Sequence, residues 1–220
     1  GRAQLYIINR VGIGRRQLTS GEAPNTQPDV SPDGRKLLFV SLRQPVGGSR
    51  NYDISEIRLD GTGERRLTTS PRTEDSPVYA PDGQSFFYQR DEGGSPPTKR
   101  VYRQSLADST GATVQPVTPV GVFVNAFSVS ADGSLFALTK YESVRGVGDV
   151  PQVVLFIPGT GATVPIRVAA GEQLSAPTFR PATPTAHATP PAPAPAAPAT
   201  PVPATPAQAP PAAPTTRPPQ

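Results

Sequence analysis

Along the first 180 residues, runs of β-branched and aromatic residues alternate with clusters of Gly, Pro, Asp and Ser. Short runs punctuated in this way predict strands and turns rather than helices. Three sets of four runs stand in register. The first set is Pro28–Ser31, Lys36–Leu42, Tyr52–Leu59 and Arg65–Thr68. The second is Pro77–Tyr79, Ser85–Arg90, Val101–Leu106 and Val114–Thr118. The third is Asn125–Val129, Leu135–Tyr141, Gln152–Ile157 and Val164–Val168. No long unbroken apolar run interrupts them, so no transmembrane helix is expected.

The punctuation repeats as regularly as the runs. SPDG at Ser31–Gly34, APDG at Ala80–Gly83 and SADG at Ser130–Gly133 place Asp33, Asp82 and Asp132 at intervals of 49 and 50 residues. In such a turn proline presets φ at the second position, Gly suits the fourth, and the aspartate can hold nearby amides. Asp33, Gly34, Asp82, Gly83, Asp132 and Gly133 are therefore expected to be structural turn residues. Asp60-Gly61-Thr62-Gly63 has the signature of a tight hairpin between third and fourth strands. Each unit, the partial first one included, closes on Leu18-Thr19, Leu67-Thr68 or Val117-Thr118, with Val168-Ala169 as a degraded fourth copy. A fixed period of this length marks stacked or radial units that cannot bury their apolar faces alone.

Four antiparallel strands per unit fit a β-propeller blade. At the residues just named the chain resembles the TolB-like, or PD40, branch of the WD40-like propellers. Leu37-Leu38-Phe39-Val40-Ser41 and Phe86-Phe87-Tyr88 fall where that family places its buried second strand. The resemblance covers about residues 4–180. It implies an all-β fold: a propeller of four-stranded antiparallel blades, three complete and partial ones at both ends. It speaks to fold more than to role, because propellers host many functions.

Gln4–Arg10 and Arg15–Thr19 read as the third and fourth strands of a blade, and Leu174–Phe179 as the first strand of another. The expectation is a fragment or processed form of a larger propeller, against the alternative of a small imperfect ring.

Residues 181–220 change character: 15 Pro, 13 Ala and 7 Thr, with Arg217 the only charged residue. This composition cannot bury enough apolar surface or sustain a ladder, so a disordered tail is expected. Two regions follow: a propeller over 1–180 and a Pro/Ala/Thr-rich tail over 181–220. The tail reads as a spacer sampling polyproline II, with recognition by proline-reading domains the weaker alternative.

Chemistry is bounded by what is missing. The chain has no Cys and a single His, His187, inside the tail. A Ser-His-Asp triad and a His- or Cys-based metal site are thereby excluded from the propeller region. No cofactor or metal is expected. Glu74-Asp75, Asp91-Glu92 and Asp53 are read as solvated turn and strand-end acids, without the alternating spacing of a calcium loop. Arg15-Arg16, Arg35-Lys36 and Arg65-Arg66 are dispersed, and the net charge is only +4, so nucleic acid is not the expected partner.

The segments 44–51, 91–99 and 142–151 each join a second to a third strand and read as long loops on one face. On that face Asn51, Tyr52, Arg90, Arg100, Tyr102, Tyr141 and Arg145 are the candidate contact residues. The resulting expectation is a non-catalytic scaffold that binds protein partners, with cell-wall or other envelope components as further candidates. An extracytoplasmic location is implied by the family resemblance. Two alternatives stand beside it: the non-catalytic propeller of a larger hydrolase or peptidase, and a glycan-binding propeller using Tyr52, Tyr102 or Tyr141.

Overall fold

The computed structural model describes residues 2–42, 51–94, 98–108, 110–120, 122, 124–166 and 177–179. The expected tail, the segment 43–50 and most of the expected strand Leu174–Phe179 lie outside these residues; Pro177–Phe179 form no strand. Fourteen strands and no helix occur among the described residues. A two-stranded hairpin, β1 (Tyr6–Ile7) and β2 (Arg16–Gln17), comes first. Three four-stranded antiparallel sheets follow, each in simple sequence order. Blade I comprises β3 (Asn25–Val30), β4 (Lys36–Ser41), β5 (Asp53–Arg58) and β6 (Arg65–Arg66). Blade II comprises β7 (Glu74–Tyr79), β8 (Ser85–Gly93), β9 (Thr98–Ser105) and β10 (Gln115–Pro116). Blade III comprises β11 (Val124–Val129), β12 (Phe136–Val144), β13 (Gly148–Ile157) and β14 (Ala162–Pro165). The first strands β3, β7 and β11 lie side by side, as inner strands of a propeller do.

The turn chemistry is the same in all three blades. Gly34, Gly83 and Gly133 take φ of 68°, 63° and 75°, a left-handed region that a side chain would strain. Their N–H groups donate to Ser31, Ala80 and Ser130 O at 2.8–2.9 Å. Asp33, Asp82 and Asp132 accept backbone N–H bonds from Arg35, Gln84 and Ser134 and so fix each corner. Outer strands close in an equally repeated way. The Oγ1 of Thr19, Thr68 and Thr118 accepts the N–H of Leu5, Ile54 and Val101, standing in for a ladder carbonyl.

Burial lies between sheets. Leu5, Leu18, Leu37, Phe39 and Ile57 join the first hairpin to blade I. Leu38, Ile54, Phe86, Tyr88 and Tyr102 join blades I and II, and Phe87, Val101, Phe136 and Phe156 join blades II and III.

Two sequence expectations are corrected. The inner strands of blades I and II begin three residues earlier than Pro28 and Pro77, because each strand passes through its proline on a bulge. Gln27 and Ser76, just before those prolines, adopt positive φ of 52°. The second correction concerns 91–93, 98–99 and 142–151, which belong to extended strand arms rather than to long loops. Their ladders continue to Gly93↔Thr98 and Val144↔Gly148. Charge pairing ties the first arm to β7, since Lys99 Nζ reaches Asp75 Oδ2 at 2.5 Å.

Candidate functional site

On blade II, β8 and β9 are in register with Arg90 opposite Arg100 and Tyr88 opposite Tyr102. This register collects three of the expected contact residues. Arg90 lies 3.8 Å over the Tyr102 ring and pairs with Glu92 Oε1 at 3.0 Å. Tyr102 O–H donates to the same Glu92 oxygen at 2.8 Å. Arg100 stacks more loosely at 5.5 Å and donates twice to Thr118 O. The Arg90–Glu92–Tyr102 cluster is internally satisfied, with Tyr102 only 4 % exposed.

The remaining candidates do not join it. Asn51 is buried and donates to Ser70 and Arg72 O, tying down the link between blades I and II. Asn51 and Tyr102 are thus corrected from exposed contacts to buried braces. Tyr52 is 38 % exposed on blade I, Tyr141 is 43 % exposed opposite Pro151 on the blade III arm, and Arg145 is exposed in the turn at the tip of that arm.

A second correction concerns the acids. Asp53 and Glu74, expected to be solvated, are each 1 % exposed. Glu74 opens β7 opposite Arg90, and its N–H is held by Tyr52 O. Burial pushes its carboxyl up to about 7; the Thr68 hydroxyl opposes this, the Asp53 charge adds to it, and Arg90 and Arg66 oppose it. Asp53 is also raised, by burial, against the pull of Arg66, whose guanidinium lies 2.5 Å from Oδ2. Asp53 Oδ1 and Glu74 Oε2 are buried without a hydrogen-bond partner. Glu74 lines a cavity of about 180 Å³ between blades I and II, together with Leu67, Thr68, Ser70, Tyr88, Arg90 and Gln104 among others.

A second, more open cavity of about 350 Å³ lies where the inner strands reach their SPDG-type turns. Equivalent positions of three blades line it: Val30, Tyr79 and Val129, then Pro32, Pro81 and Ala131. Asp29 at its wall accepts the Tyr79 N–H at 2.7 Å and is raised chiefly by burial.

No family model matches the chain. Among solved structures, TolB from Acinetobacter baumannii superposes with a TM-score of 0.57 at 27 % identity, over 74 % of this chain and 37 % of its own. The putative TolB of Agrobacterium tumefaciens gives 0.61 at 22 % identity, over 75 % and 56 %. The fold is a TolB-like β-propeller. Among curated sequences, an uncharacterized protein of Agrobacterium fabrum is 32 % identical over 137 residues, 59 % of this chain and 44 % of that protein. Dipeptidyl-peptidase 5 of Porphyromonas endodontalis is 28 % identical over 90 residues, 41 % of this chain and 12 % of the enzyme. The chain therefore spans less than half the length of these two curated relatives.

In this TolB-like propeller the residues missed from sequence are the buried acids and the groove-lining Val30 and Val129. A signal for Glu74 was present: it stands 49 residues after Asn25, which is also buried and also carries an unpartnered oxygen. Two polar residues at one register of the inner strand mark an internal position, where a loop would have left them to water. No helix among the described residues is long and apolar enough to cross a membrane.

Proposed function

We propose that this chain is a non-catalytic TolB-like propeller scaffold that binds a protein partner in an extracytoplasmic compartment of the bacterial envelope or outside the cell. The observation that carries this reading is the groove at the inner-strand turns. Its walls are mostly Val, Pro and Ala from three successive blades, and Asp29 is already held by a backbone N–H. Such a wall offers contact area and shape to an extended segment, the kind of recognition that a rigid scaffold supports. The likeness to TolB structures supports the same role, and with it the location.

The test pairs two measurements on the full chain. A photo-crosslinking residue at Val30 is expected to give a discrete protein adduct in the native envelope, lost in a Val129→Asp variant that keeps its melting temperature. Assays against ester, peptide and glycoside substrates are expected to show no turnover. Hydrolysis abolished by one carboxylate substitution, or adducts that Val129→Asp leaves unchanged, would overturn the proposal.

A second reading is favoured by the identity to dipeptidyl-peptidase 5: the non-catalytic propeller portion of a larger peptidase. It requires the complete gene product to carry its own nucleophile and histidine in a separate domain. The glycan alternative loses its middle ring, since Tyr102 is buried while Tyr52 and Tyr141 are on blades I and III.

A further inference from the structure

The cavity between blades I and II is unlike the apolar groove. Its wall holds a buried carboxyl, Glu74, whose Oε2 lacks a partner, together with the hydroxyl-bearing residues Thr68, Thr69, Ser70 and Thr110. A buried carboxylate oxygen without a donor is costly, and a polar cavity of this size invites a donor to enter. The nearby cations are already engaged: Arg66 with Asp53 and Arg90 with Glu92. Glu74 is hydrogen-bonded to neither.

We propose that this inter-blade cavity binds a short primary ammonium compound, with Glu74 Oε2 accepting from the ammonium group. An ammonium carries three donors and needs several acceptors converging from different directions. Glu74 supplies the charged acceptor, and the neutral ones are the Thr69 hydroxyl and the second lone pair of Ser70 Oγ, which already accepts the Arg72 N–H. Thr68 Oγ1 is engaged by the Ile54 N–H, and Thr110 by Asp108 and the Ala112 N–H. Leu67 and Val114, also in the wall, suit a short alkyl stem. A divalent metal is a poorer fit. Calcium takes six to eight oxygen ligands, whereas no group of three or more His, Cys, Asp and Glu suited to a metal occurs among the described residues.

Protonation competes with the ligand. The groups facing Glu74 are Asp53 from β5, Arg66 from β6, Thr68 after it, and Tyr88 and Arg90 from β8. Because the free carboxyl titrates near 7, affinity for methylammonium should be about tenfold higher at pH 8 than at pH 6.

Calorimetric titration of the full chain with methylammonium chloride tests this, with potassium and tetramethylammonium chloride as comparisons. Saturable binding of methylammonium is expected, with neither comparison ion matching it. Glu74→Gln is expected to weaken it at least tenfold at pH 8 and to abolish the pH dependence. Should that variant fail to fold, Thr69→Val, at an exposed position, is expected to weaken binding severalfold. No saturable binding, equal binding of either comparison ion, or affinity unmoved by these substitutions or by pH overturns the proposal.

Discussion

The two seams of the propeller are built from different physics. Between blades I and II, side chains of one blade reach the backbone of the other. Asp29 accepts the Tyr79 N–H, Gln27 the Ser76 N–H, Arg65 donates to Leu106 O, and Gln104 donates to Leu67 O. Tyr79 O–H also reaches Glu56, a buried acid held by Lys36 and Arg65. Between blades II and III the contact is mainly rings. Phe136 meets Phe87 edge-on at 4.9 Å, with Phe127 and Phe156 on its other sides. Gln89 Nε2 to Val124 O is a polar link there. Directional bonds fix how two sheets register but carry buried charge with them; apolar area stabilises more uniformly and does not titrate.

The sharpest break of that contrast is Phe136→Ala. Truncating a ring buried among three others should cost about 3–5 kcal/mol, independent of pH, read as a fall in the denaturation midpoint. The polar seam should respond to pH instead. The folded-state pKa of Glu74, about 7, lies above its ordinary 4.5, so the native state holds that proton more tightly than the unfolded chain. The contribution of the neutral carboxyl is fully present below about 4.5 and is lost as pH rises through 7. Glu74→Gln should therefore match the parent at pH 4 and exceed it by up to about 3 kcal/mol at pH 8. Parallel stability curves for the two proteins would refute this.

A gentler comparison replaces equivalent amides. Gln104→Leu removes bonds to Leu67 and Asp108 O and should cost about 2 kcal/mol in denaturant titration. Gln89→Leu removes one bond but also a buried oxygen without a partner, so its effect should stay within about 1 kcal/mol of zero. Arg103→Ala, which breaks a half-exposed pair with Asp82 along with a bond to Ser85 Oγ and a loose stack on Phe87, should change stability by less than about 1 kcal/mol. A larger loss there would mean that surface charge, rather than seam chemistry, sets the stability.

These contrasts explain what the sequence could reveal. Asp33-Gly34 and its two counterparts were legible because a left-handed glycine and an amide-holding aspartate are local requirements. Leu-Thr was legible as a repeat, though its reason is tertiary: the hydroxyl takes the place of a ladder carbonyl. The start of β3 and β7 was hidden by Pro28 and Pro77, which normally open a strand but here sit inside one behind a bulge. Burial of Asp53 and Glu74 was hidden for a different reason. It depends on a neighbouring blade, and an acid beside Asp75 looks like any solvated turn. The paired Arg90 and Arg100 were found as residues but not as partners, since their meeting over Tyr102 follows from strand register alone.

The arginines show what this arrangement permits. Arg16 of the first hairpin donates to Leu59 and Asp60 O on blade I, and Arg65 of blade I donates to Leu106 O on blade II. Each strap ends on a main-chain carbonyl, and the Gln27 and Asp29 bonds likewise end on main-chain N–H groups. At these two junctions the polar straps therefore follow the path of the next unit's backbone rather than the identity of its side chains. Duplication or exchange of a unit could retain these joints without coordinated substitutions on the receiving side. A chain assembled from copies would then diverge in its arms while these joints stayed docked.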